Sequence, residues 1–165
     1  MKSKWETDLV KVLFVCTGNI CRSPTAEGVF RKLVIDAGVS DKIFVDSAGT
    51  GAWHVDQAPD RRSQEAARKR GVDLSAQRAR QVTTDDFKNF DYVLAMDAAN
   101  LRILSELCPS DLVSSISLFL DYAPSLERRE VPDPYHGGGR GFELVLDLIE
   151  AASNGLLSHI RSYDL

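Results

Sequence analysis

The chain has few cysteines and no long apolar run. Among 165 residues there are three cysteines, too few and of the wrong parity for a disulfide framework, so reduced thiols and a cytoplasmic location are expected. The N-terminal "MKSKWETDLV" has two lysines but lacks the apolar core of an export signal, and Lys11 interrupts the nearest candidate. No apolar stretch approaches the length of a membrane span, so no membrane association is expected. Basic residues are not in excess: 20 Lys and Arg against 24 Asp and Glu give a net charge of -4, which argues against nucleic acid as partner. Internal repeats, linkers and low-complexity segments are missing, and the closest approach is the glycine-rich "HGGGRG" at 136–141. The length suits one domain over 1–165.

What is present alternates. Short apolar, β-branched or aromatic runs at 9–16, 42–49, 91–97 and 113–119 read as four strands. Helical patterns lie between and after them, at 24–38, 60–70, 83–89, 98–107 and 141–160, with Gly155 weakening the continuity of the last. Such alternation predicts right-handed βαβ crossovers, a parallel sheet, and helices on both faces. In an open sheet of this kind ligands bind beyond the carboxyl ends of the strands.

"VCTGNICRSP", residues 15–24, sits at the first such end, between strand and helix. Backbone N–H groups and a helix N-terminus converging there suit an anion. No Lys-Ser or Lys-Thr pair follows Gly18, and no G-x-G-x-x-G is present, so a nucleotide is disfavoured. Cys16 is followed after five residues by Arg22 and then Ser23. A guanidinium and a helix N-terminus lower a cysteine's pKa from about 8.5 into the range of roughly 3.5–7.5, which makes Cys16 a candidate nucleophile. Arg22 has the planar fork that matches two phosphate oxygens as phosphorus passes through a five-coordinate transition state.

"VCTGNICRSP", with "DPY" at 133–135, "SAGTGAWHV" at 47–55, "ARQVT" at 79–83 and "DYVLAMD" at 91–97, resembles the low-molecular-weight protein tyrosine phosphatase family over nearly the whole chain. The resemblance implies an α/β, flavodoxin-like three-layer sandwich with a central four-stranded parallel sheet. It also implies hydrolysis of phosphotyrosine in proteins or peptides through a cysteinyl-phosphate intermediate, with no cofactor or metal and with inorganic phosphate as product. In that scheme Cys16 is the nucleophile, Arg22 the phosphate clamp and Asp133 the general acid and base. A phenol has a pKa of about 10, so a positioned acid aids its departure by roughly 10²–10⁴-fold. Thr17, Gly18, Asn19, Ile20, Cys21 and Ser23 form the phosphate-binding loop, Ser47 supports it, and Trp53 and Tyr135 wall the substrate pocket. Cys21 is a candidate resolving thiol if Cys16 is oxidised. A monomer is expected, with a weak dimer left open.

Rival readings draw on the same residues. A protein arginine phosphatase shares the loop, but its members usually place threonine where this chain has Ile20, and an apolar wall suits a phenyl ring better. Arsenate reduction needs a further cysteine pair, whereas Cys108 alone lies outside the loop. A zinc site lacks a second close pair of ligands. His136, Gln77 and Arg61 depart from common family residues, and His54 and His159 read as surface or satisfied core side chains.

Overall fold

A computed structural model describes residues 9–137 and 139–165. The first eight residues, where the sequence shows no export signal, and Gly138 of the glycine-rich segment lie outside the described residues. Four strands form one parallel sheet: β1 (Val10–Cys16), β2 (Ile43–Gly49), β3 (Tyr92–Ala95) and β4 (Ile116–Leu118), in the order β2-β1-β3-β4. The chain steps from β1 to one side, then crosses to the other, so the order reverses beside β1. This is the flavodoxin-like arrangement, and it opens a crevice at the carboxyl ends of β1 and β3.

Strand period two sorts the side chains of β1 between two cores. Val12, Phe14 and Cys16 join a cluster with Phe30, Ala67, Leu146 and Ile149, whereas Leu13 and Val15 join one with Val93, Phe87 and Leu104. The first is covered by α1 (Arg22–Asp36), α2 (Arg61–Arg68) and α5 (Gly139–Tyr163), the second by α3 (Asp86–Asn89) and α4 (Ala98–Leu107). Phe14 anchors the larger core, its ring 5.7 Å from that of Phe30 and 4.8 Å from that of Phe119, both edge-on. Helices thus lie on both faces, and Val12–Cys16 of β1, buried on each, read as an unbroken apolar run for that reason.

Several boundaries differ from the sequence expectation. Helix α1 starts at Arg22 rather than Pro24, because proline is tolerated throughout a first turn whose N–H groups have no helical partner. It ends where Gly38, with φ of 74°, takes the left-handed conformation after the last turn. The expected strand over 113–119 keeps only its last part: Ser110–Ser115 wind as 3-10 turns, and β4 pairs just three residues with the four-residue β3. Val113, which suggested strand, is half exposed. The expected helix from 83 shortens to α3 because Asp86 folds back to accept from Thr83 N at 2.8 Å, holding 83–85 as a turn.

Helix α5 runs unbroken through Gly155. A Cβ there would lie 1.7 Å from the carbonyl oxygen of Tyr122, so the glycine lets the 3-10 turn Phe119–Tyr122 rest directly on the helix. Ordinarily alanine is about 1 kcal/mol better than glycine inside a helix. Here the clash is with backbone, and Gly155→Ala is expected to destabilise the protein by about 1–3 kcal/mol. Urea titration checks this; a variant as stable as wild type would contradict it.

Candidate active site

The loop between β1 and α1 curls because Asn19 adopts a left-handed conformation, with φ of 57°, which asparagine tolerates better than most residues. Three bonds hold it there. Its Nδ2 donates to Ser23 Oγ at 2.7 Å and to Ser47 Oγ at 3.0 Å, and its Oδ1 accepts from Arg80 N at 3.0 Å. Ser47 in turn donates to Glu27 Oε1 at 2.8 Å. Ser23 Oγ lies 3.0 Å from Cys16 Sγ. Asn19 occupies one lone pair of Ser23 Oγ, and the hydroxyl proton has two acceptors within reach, Ala48 O at 3.3 Å and the sulfur; directed at the sulfur, it stabilises a thiolate. A buried chain therefore runs Glu27–Ser47–Asn19–Ser23–Cys16. Burial pushes the Glu27 carboxyl above its ordinary range, opposed by the Arg31 guanidinium 2.8 Å away.

Gly49 belongs to the same construction. A Cβ on it would stand 2.8 Å from Thr17 O, so its absence lets the end of β2 approach the loop. Thr50 N then donates to Cys16 O at 2.8 Å and Gly51 N to Thr17 O at 3.0 Å.

Arg22 is 2 % exposed, an unusual burial for a guanidinium, and three of its five N–H donors are occupied. Nη1 donates to Asp97 Oδ2 at 2.6 Å and to Val131 O at 3.0 Å; Nη2 donates to Thr17 Oγ1 at 3.3 Å and lies 3.8 Å from Asp133 Oδ2. Burial opposes its charge, but Cys16, Asp97 and Asp133 outweigh that and raise its pKa. Asp97 lies two residues beyond the carboxyl end of β3 and also caps α4 by accepting from Asn100 N at 2.8 Å. Asn100 Nδ2 reaches Thr17 Oγ1 at 3.1 Å.

Asp133 sits on the segment that follows Val131, whose N–H donates to Met96 O at 2.8 Å. Flanked by two prolines and half exposed, it accepts from Tyr135 N at 3.0 Å through Oδ1. Cys16, Thr17, Gly18, Ile20, Cys21, Arg22, Trp53, His54, Asp133 and Tyr135 line one cavity of about 160 Å³. All the residues expected at the pocket itself are thus brought together, while Asn19, Ser23 and Ser47 support it from beneath. Trp53 is 70 % exposed and folds over Gly51, whose missing Cβ would collide with the indole. It is a wall rather than core.

The sequence reading missed several residues. His54, expected on the surface or in the core, lines the cavity, with Nδ1 3.0 Å from Gln57 Oε1. Asp97, Asn100, Glu27 and Arg80 were also passed over. A carboxylate ending a strand beside β1 is the signal that would have found Asp97. Gln77 makes one bond, Nε2 to Pro24 O at 2.9 Å, and its buried Oε1 has no partner among the described residues. Cys108 is only partly buried, at the far end of α4, about 15 Å along the helix from the Asp97 cap.

Comparison with known proteins agrees with this geometry. Residues 11–163 match the family model described as low molecular weight phosphotyrosine protein phosphatase. A putative low molecular weight protein-tyrosine-phosphatase of Synechocystis is 46% identical over 152 residues, covering 92% of this chain and 96% of that protein. The low molecular weight phosphotyrosine protein phosphatase of Sus scrofa is 41% identical, covering 91% and 95%. Among solved structures, a protein tyrosine phosphatase from Entamoeba histolytica with Hepes in the active site superposes with a TM-score of 0.91 at 40% identity, covering 94% of this chain and 99% of that one. YfkJ from Bacillus subtilis gives 0.89 at 40% identity, covering 95% and 98%. The chain belongs to the low molecular weight phosphotyrosine protein phosphatase family, and its enzymatic activity is that of a phosphotyrosine phosphatase.

Proposed function

We propose that the protein hydrolyses phosphotyrosine in proteins or peptides by two displacements at phosphorus. The observation that carries this is the convergence of Cys16, Arg22 and Asp133 on one cavity whose rim is aromatic. Cys16 sulfur attacks phosphorus while Arg22 holds two equatorial oxygens. Asp133 gives its proton to the departing tyrosyl oxygen, leaving a cysteinyl phosphate. The Asp133 carboxylate then takes a proton from water as that water attacks phosphorus, releasing inorganic phosphate and the thiolate. Cys16→Ser is expected to abolish turnover while still binding phosphate. Asp133→Ala is expected to cut kcat/KM for phosphotyrosine by roughly 10²–10⁴-fold. It should slow p-nitrophenyl phosphate far less, because that leaving group departs without a proton. Equal losses on the two substrates would move the acid elsewhere.

The preference for a phenyl ring over a guanidino group is read from Ile20, which is 9 % exposed and contributes apolar surface to the cavity wall. A buried hydroxyl there would give the polar phosphoarginine a partner that an isoleucine denies it. Wild type is therefore expected to favour phosphotyrosine over phosphoarginine peptides, and Ile20→Thr to narrow that ratio. An unchanged ratio would show that selectivity lies elsewhere in the pocket. Arsenate reduction gains no support from Cys108, which is remote from the cavity.

Reversible oxidation is a second reading, favoured by Cys21 lining the cavity with Cys16. Peroxide converts the Cys16 thiolate to sulfenic acid; Cys21 sulfur displaces water from it, forming a disulfide that a dithiol reduces. Burial, partly offset by a hydrogen bond to Ser63, pushes the Cys21 thiol up to about 12, so its proton must pass to the departing hydroxide as the disulfide forms. Peroxide-treated wild type is expected to recover with a dithiol, and Cys21→Ser to recover much less. Equal recovery would leave Cys21 as packing.

A further inference from the structure

Arg62 is the second residue of α2 and lies outside the cavity, yet it bonds one of the two loops that make the cavity, and its partner Asp60 bonds the other. Its anchor is Asp60, the residue that caps α2. Asp60 Oδ1 accepts from Arg62 N at 2.8 Å and from Nε at 3.1 Å, and Oδ2 accepts from Nη2 at 3.0 Å, a two-pronged grip on the guanidinium fork. The backbone N–H of Asp60 meanwhile donates to Ile20 O of the phosphate loop at 2.7 Å. On its other side, Arg62 Nη2 donates to Tyr135 O at 2.9 Å. Its guanidinium carbon lies 5.6 Å from the ring centroid of Tyr135 and 4.8 Å from that of Phe142, within the range of cation–π attraction. The pair thus connects the floor of the cavity, the segment bearing Asp133, and the first turns of α5.

That segment needs an anchor beyond Asp133. Before it, Val131 is fixed by Met96 and Arg22; after it come a turn closed by Gly137 N donating to Pro134 O at 3.0 Å and then the glycine-rich stretch. The bond from Gly137 to Pro134 closes a local turn and does not itself join Tyr135 to the phosphate loop. Tyr135 matters because its N–H holds Asp133 Oδ1, so the peptide groups of Tyr135 set the carboxyl's direction. A displacement of about 1 Å at a reacting group can cost roughly 10²-fold.

We propose that Arg62 is a positioning residue for the reaction: gripped by Asp60, it fixes the Tyr135 carbonyl and so holds the Asp133 carboxyl over the leaving-group oxygen. This rests on Asp133 being the general acid. Arg62 touches neither phosphate nor tyrosyl oxygen, and its loss acts through the acid alone.

The test compares two substrates in the same preparation. Arg62→Gln is expected to lower kcat/KM about tenfold for phosphotyrosine and less than about twofold for p-nitrophenyl phosphate, since only the first requires the proton. The ratio of the two values is independent of the fraction of protein that is folded, so destabilisation cannot mimic the effect. In an Asp133→Ala background the same substitution is expected to cost phosphotyrosine no more than it costs p-nitrophenyl phosphate, because the step it assists is already gone. Equal losses on the two substrates in the otherwise wild-type protein would overturn the proposal and make Arg62 a structural link only. If Asp133→Ala itself showed no preference between substrates, the acid assignment would fail and this inference with it. A preference in Asp133→Ala but not in Arg62→Gln would sink the inference alone.

Discussion

The burial of the Arg22 guanidinium constrains everything around it. A cation removed from water must be surrounded by acceptors or it destabilises the fold by several kcal/mol. Its acceptors come from Asp97 at the end of β3, Val131 in the segment before Asp133, and Thr17 in the phosphate loop. These three places are distant in sequence and adjacent only because the strand order β2-β1-β3-β4 puts the ends of β1 and β3 side by side. The sheet therefore satisfies the arginine, and the arginine in turn fixes the loops above the sheet. Asp97 serves twice, neutralising Arg22 and capping α4, so the second core on the far face is tied to the same point.

A second constraint lies in the backbone. Asn19 in its left-handed conformation costs about 1–2 kcal/mol relative to ordinary helical geometry, and this cost persists because its amide is fully engaged by Ser23, Ser47 and Arg80 N. The Arg80 side chain is held by two carboxylates, Asp46 at 3.0 Å and Asp86 at 3.0 Å, so the residue whose backbone N–H grips Asn19 is itself anchored. Strain at the loop is thus distributed into β2 and α3, elements with no direct part in the chemistry.

These two constraints also explain what was legible in the sequence. The loop from Cys16 to Ser23 could be read because its chemistry is contiguous: nucleophile, turn-forming asparagine, guanidinium and helix start fall within eight residues. Strand β1 was equally clear, since burial on both faces leaves Val12–Cys16 continuously apolar. Asp97, Glu27 and Arg62 were not, because each acts through a partner that only the fold supplies, and in isolation they look like a cap, a helix carboxylate and a surface arginine. His54 was misjudged for a related reason: a lone histidine carries no local mark of whether the chain after β2 turns it inward. At Val113 the error was of another kind, an apolar β-branched residue taken for strand where a 3-10 turn leaves it half exposed.

The placement of charge bears on the proposed mechanism. In a protein of net charge -4, a phosphate dianion meets Arg22, whose charge is already balanced by Asp97 at 2.6 Å, and a Cys16 thiolate. Attraction then comes from the Arg22 donors left unused by Asp97, Val131 and Thr17, together with the loop N–H groups and the start of α1, fixed dipoles that cost no reorganisation when the anion arrives. An Asp133 carboxylate facing the same phosphate would add repulsion, about 4 kcal/mol for unit charges 4 Å apart at an effective dielectric of 20. The acid form adds none, and it brings the proton that the departing tyrosyl oxygen needs. Once that oxygen has left with the proton, the cysteinyl phosphate is still a dianion, but the negative charge of the thiolate has been replaced by that of the Asp133 carboxylate, so the site holds no more charge than before. The carboxylate is then tolerated, and its half-exposed position gives it access to the water it must activate.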